Sequence, residues 1–119
     1  MELTVVKRFV DPQDPTRKFR YAAVFGKVNG RLFVAPMTSY PTRNGVTPPG
    51  CALITTDSPA YLASGLTAER VAINVKNAGL YETTSHALRR VKVVGRIDTD
   101  VDMRLGEHLR NLLASFGCH

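Results

Sequence analysis

The dipeptide Asn29-Gly30 constrains this chain more than any other pair, because it stands between two runs with the character of β-strands. Both residue types accept positive φ, which a two-residue type I′ turn requires at its two central positions. Residues 19–28 and 31–38 are therefore predicted to form an antiparallel hairpin. That geometry sets the start of one strand beside the end of the next. Arg20 and Thr38 are expected to meet at one rim of a sheet, a guanidinium beside a hydroxyl.

The rest of the chain is read from period and punctuation. Leu3 to Val10 is a first strand rich in β-branched residues. Asp11 to Lys18 is a loop, since two Asp-Pro steps interrupt regular structure. Tyr40 to Gly50, with Pro41 and Pro48-Pro49, is a second loop, and Cys51 to Thr55 resumes a short strand. Ser58 to Ala63 is expected to make one helical turn, with Ser58 as N-cap and Pro59 at the first helical position. Glu69 to Lys76 alternates, with Val71, Ile73 and Val75 on one face. Arg90 to Ile97 alternates too, setting Arg90, Lys92 and Val94 against Val91 and Val93.

A helix closes the chain, capped by Asp98 or Thr99, with Asp100 and Asp102 adding negative charge at its positive end. Val101, Leu105, Leu109, Leu112, Leu113 and Phe116 form its apolar stripe, and Gly117 ends it. These elements predict a mainly β protein with a C-terminal helix, a small SH3-like curved sheet or partial barrel. The 119 residues suit a single domain, 1–119.

Charge narrows the partners. Sixteen Lys and Arg against ten Asp and Glu leave a net +6, which favours nucleic acid, an anionic surface or an acidic protein. No apolar run approaches the ~18 residues of a membrane span, so no membrane partner is expected. Charge interrupts the first residues, so no secretory leader is read there. Two cysteines, Cys51 and Cys118, make no disulfide framework, and a cytoplasmic, reduced protein is the expectation.

Three constellations bear on chemistry. At the Arg20/Thr38 rim, a guanidinium offers forked donors that fit two phosphate oxygens, and a hydroxyl beside it can donate to a third or relay a proton. Those groups suit the extra charge of a pentacoordinate phosphorus, and RNA supplies its own 2′-OH as nucleophile. Both residues also suit a plain strand-end role. Arg17, Lys18, Arg20 and Arg43 flank two loops at one end of the sheet, and Arg89, Arg90 and Lys92 make another basic cluster. Tyr21 and Tyr40 can stack on unpaired bases, whereas Phe19 is assigned to the core. His86, His108 and His119 share no ligand spacing, and neither a metal nor a cofactor is expected. His86 reads as a surface histidine.

These residues resemble a known family. Arg20-Tyr21-Ala22-Ala23-Val24-Phe25, then Val34-Ala35-Pro36-Met37-Thr38-Ser39, is similar to the core of the MazF/PemK (Kid/CcdB-like) toxins, and Val94-Gly95-Arg96-Ile97 with the following helix resembles their closing strand and last helix. The likeness spans roughly residues 15–116. Where that family places a proline after the arginine, this chain has Tyr21.

The resemblance implies an SH3-like barrel, usually a homodimer, neutralised by an antitoxin protein. It also implies a metal-independent endoribonuclease that cuts single-stranded RNA to a 2′,3′-cyclic phosphate and a 5′-hydroxyl. Arg20 and Thr38 would be catalytic, and Arg17, Lys18, Ser39, Tyr40 and Arg43 would bind RNA. The alternative is a non-catalytic basic barrel that binds nucleic acid or an inhibitory protein partner, as gyrase-directed relatives do. In that case exposed apolar residues near the helix end, such as Phe116, would matter more than Arg20.

Overall fold

The structure, a computed structural model, describes residues 1–39 and 47–116. Its strands are β1 (Glu2–Val10), β2 (Phe19–Val28), β3 (Arg31–Ser39), β4 (Cys51–Thr55), β5 (Arg70–Asn74), β6 (Gly79–Tyr81) and β7 (Lys92–Asp98). One α-helix, α1 (Met103–Phe116), follows them, and short 3₁₀ turns lie at Leu62–Ser64, Val75–Asn77 and His86–Leu88. The hairpin forms as its turn chemistry requires. Asn29 has φ 51° and Gly30 φ 81°, and Val28 pairs with Arg31 across them.

All ladders are antiparallel, in the order β4-β5-β3-β2-β1-β7, with β6 pairing the first half of β3 beside β5. The result is the expected mainly β fold, a curled SH3-like half-barrel with a C-terminal helix. Bulges supply the curl by adding residues to one strand and raising its local twist. In β1 the register shifts between Val6 and Phe9, where Arg8 adopts φ 63°. The shift turns Val6 and Phe9 to the same side despite their odd spacing, and both enter one apolar cluster.

The main core fills the concave side. Leu3, Val5, Ile54, Ile73 and Ile97 of the sheet pack with Leu105 and Leu109 of α1, and Leu112 and Leu113 close over them. A fully buried leucine of this kind stabilises the fold by about 1.5–3 kcal/mol. A smaller cluster covers the opposite face, where Ala87 and Leu88 lie over Val6, Phe9, Ala22 and Val34. Tyr81 meets the Phe9 ring edge-on, with centroids 5.4 Å apart. Across the opening of the curl, the turn Leu62–Ser64 crosses β7. A Cβ on Gly95 would lie 2.3 Å from the Ser64 backbone, so the approach needs a glycine there. Cys51 is buried as a free thiol, and burial raises its pKa against the pull of Lys76.

Several expectations are corrected. Asp102, not Asp98 or Thr99, caps α1: its Oδ1 accepts the Leu105 amide at 3.2 Å and its Oδ2 accepts that of Ala60 at 3.3 Å. Val101 stands outside the helix and is exposed, because the helix starts only at Met103. Ser58 caps no helix; its Oγ accepts the Thr55 amide, and the helical turn comes later, at Leu62–Ser64. The simple alternation of β7 fails at a bulge against Val5 and Val6, which leaves Val93 exposed and packs Val94 on the main core. The predicted strand Glu69 to Lys76 is shorter, since Val75–Asn77 turns as 3₁₀, and β6 follows where no strand was expected.

Candidate functional site

The hairpin does not hold Arg20 and Thr38 on adjoining rungs. Its ladder runs from the turn to Ala22↔Pro36, where Pro36 brings no N–H to the pairing. Beyond that point the strands part. Arg20 pairs with Phe9 of β1, and Thr38 pairs with Ala72 of β5. Strand alternation still gives the two side chains one face, because Arg20 follows the side of Ala22 and Thr38 that of Val34.

A groove of about 310 Å³ opens where the strands separate. One bank carries Lys18, Phe19, Arg20 and Tyr21, and the other carries Met37 and Ser39. Leu66, Thr67, Ala68 and Val71 close its end. The hydroxyl of the Thr-Ser pair that lines the groove is thus Ser39's, while Thr38 is exposed beside it. Phe19 corrects its assignment to the core: it is 53% exposed at the groove mouth. Tyr21 has the opposite fate, half-buried against the main core.

Arg20 is oriented by the loop that precedes it. Asp11 and Asp14 each begin an Asx turn, accepting the amides of Gln13 and Thr16 at 2.9 and 3.0 Å. The Asp14 Oδ1 also accepts the Thr16 hydroxyl at 2.7 Å, which leaves its Oδ2 for Arg20. Arg20 reaches that oxygen with Nε and Nη2, both at 2.9 Å. Its side chain is 20% exposed, and Nη1 has no partner among the described residues. One edge of the guanidinium is therefore anchored, and among the described residues the other has no partner and can serve an anion.

The Thr16 hydroxyl bond and then the Thr16 amide hold the Asp14 carboxyl below its ordinary 3.8; burial opposes them, and the hydrogen bond and charge of Arg20 add further, individually smaller, lowering effects. Behind this loop, burial raises the Tyr81 phenol, and the Asp11 carboxylate raises it further.

The remaining predicted contacts divide. Arg17 and Lys18 are exposed on the loop, with Arg17 at φ 54°. Tyr40, Arg43 and the Phe116 side chain lie outside the described residues. His86 is exposed on its 3₁₀ turn, as expected. Among the described residues no three His, Cys, Asp or Glu side chains gather as a metal site needs. None of their helices is long and apolar enough to cross a membrane.

A larger groove, about 620 Å³, runs between β4 and the start of α1. Asp57 and Asp102 line it beside Arg104 and His108, along with exposed Val101 and Met103. Its carboxylates oppose phosphate binding, so size does not make it the better site for a polyanion. Sequence reasoning missed Asp14 and the Leu66–Ala68 wall. The Asp-Pro-x repeat signalled the first through its turn chemistry, whereas the wall arises only from tertiary packing. Comparison of the chain with family models, curated proteins and solved structures finds no match.

Proposed function

We propose that this chain binds single-stranded RNA in the groove between the parted ends of β2 and β3 and cleaves it without a metal ion. The observation that carries this reading is the anchored guanidinium of Arg20, held edge-on by Asp14 in a groove that also presents the Ser39 hydroxyl and the exposed Phe19 ring. Phe19 provides a face on which a base stacks, and Lys18 adds a second cation. The resemblance to the MazF/PemK toxins points the same way, with Arg20 and Thr38 at the catalytic positions.

In the reaction, the RNA 2′-oxygen bonds to the adjacent phosphorus and the bond to the 5′-oxygen breaks. The 2′-OH gives up its proton and the departing 5′-oxygen gains one, leaving a 2′,3′-cyclic phosphate and a 5′-hydroxyl. Arg20 bears the charge that builds on the phosphoryl oxygens. Ser39, which lines the groove, holds a phosphate beside Arg20, and Thr38 orients the scissile group from the exposed rim next to it. On this reading the protein works in the cytoplasm as a homodimeric toxin, and an acidic antitoxin neutralises its basic surface.

Incubation of the protein with single-stranded RNA in excess EDTA tests this. Cleavage is expected for wild type and is expected to fall at least 10²-fold for Arg20→Ala, the scale of losing one charge-stabilising donor. Thr38→Ala and Ser39→Ala separate the two hydroxyls. Cleavage left intact by Arg20→Ala would refute the assignment.

A second reading rests on the same ion pair. Asp14 partly neutralises Arg20, which suits a barrel that binds RNA without cutting it. It predicts salt-dependent retention of uncut RNA.

A further inference from the structure

The two basic groups that are separate in the sequence lie at one end of the same three-stranded ribbon. Arg20 of β2 pairs with Phe9 of β1, and Lys7 of β1 pairs with Lys92 of β7. The β1 bulge sets Arg8 between them, exposed, with its backbone at φ 63°. Arg89 and Arg90 are exposed in the turn that leads into β7 at that same end. Neighbouring strands are about 4.8 Å apart, so Lys92 stands roughly two strand spacings from the groove.

The charge is concentrated there. Arg17, Lys18 and Arg20 with these five further cations, set against Asp11 and Asp14, account for the whole +6. The rest of the sequence, Arg43 included, carries cations and carboxylates in equal number. Both acids in the strip are buried and already accept hydrogen bonds from the chain. Like charges directly opposite on paired strands are unfavourable, and Lys7↔Lys92 is such a pair. A bound polyanion removes that repulsion.

We infer that the strip from Lys18 through Arg8 and Lys7 to Lys92 and Arg90 is a second binding segment for single-stranded RNA, continuous with the groove. The strand that enters beside Phe19 crosses β1 and β7 with its phosphates on these cations. This rests on the RNA reading of the groove and extends it to a longer substrate.

The test measures binding of a 2′-O-methyl oligonucleotide of about 12 nucleotides, which resists cleavage, over a range of salt. Compared with wild type, Lys7→Ala/Arg90→Ala/Lys92→Ala is expected to flatten the slope of log K against log salt by about 2, the counterion effect of three lost phosphate contacts on a single strand. The control Lys27→Ala/Lys76→Ala/Arg110→Ala, equal in charge but off the strip, keeps the wild-type slope. Lys92→Glu guards against a folding artefact: opposite Lys7 it is expected to raise the melting midpoint by about 2 °C while weakening RNA binding.

Equal slopes for strip and control variants would overturn the inference while leaving the groove reading to its own cleavage test. Failure of wild type to bind RNA at low salt would overturn both. Tighter binding to phosphatidylserine vesicles than to the oligonucleotide would assign the strip to a lipid surface and overturn the RNA claim.

Discussion

Arg20 owes its aim to a carboxylate that the chain itself buries. Asp14 is held ionised by two bonds from Thr16 and by Arg20, so its folded pKa lies below the 3.8 of a free side chain. A lowered carboxylate pKa stabilises the fold fully above 3.8, and that contribution is lost as pH falls through the folded value. Melting midpoints followed from about pH 6 to about pH 2 are expected to drop more steeply for wild type than for Asp14→Asn, which cannot titrate. Parallel curves would mean that the loop does not depend on the ionised Asp14 carboxylate and the bonds it accepts. On the proposed reading, arginine suits position 20 because a planar fork can keep one edge on Asp14 and offer another to phosphate.

At the scale of elements, α1 depends on a cap that also ties it to the segment before β5. Asp102 accepts from Leu105 within the helix and from Ala60 outside it. Asp102→Ala is expected to cost about 1–2 kcal/mol in chemical denaturation, and Asp102→Asn to recover part of it. A loss below about 0.5 kcal/mol would show that the cap contributes little. The run from Asp98 to Asp102 offers several short polar side chains, and sequence alone could not choose among them. The Asp98 side chain accepts the Asp100 amide and Thr99 donates to the Met1 carbonyl, so Asp102 is left to the helix.

The hairpin was legible because two residues decide its turn, and the curled sheet followed from short strands with clear breaks. The bulges, the three-residue β6 and the parting at Pro36 were not, because partner strands set them. That limit carries over to the site. Arg20 and Thr38 were read as meeting at one rim, without the gap that sets them on different partner strands. Asp14 was read as a loop former, and Phe19 was placed in the core.

Over the whole molecule, the sheet sorts charge by its two ends. Glu2 pairs with Asp98 at one end of β1–β7, and Lys7 pairs with Lys92 at the other. Such a gradient steers a polyanion toward the basic end, and its reach shrinks with the Debye length, about 10 Å at 0.1 M salt. Among the described residues two grooves then compete for the functional role: the smaller at the basic end, and the larger beside α1 with its carboxylates. Backbone amide shifts recorded while a non-cleavable single-stranded RNA is titrated into the protein distinguish them most directly. If the parted hairpin is the site, the perturbed amides are those of Lys18 to Tyr21, Thr38, Ser39, Thr67 and Ala68. Shifts confined instead to Thr55, Asp57, Met103 and Arg104 would contradict it.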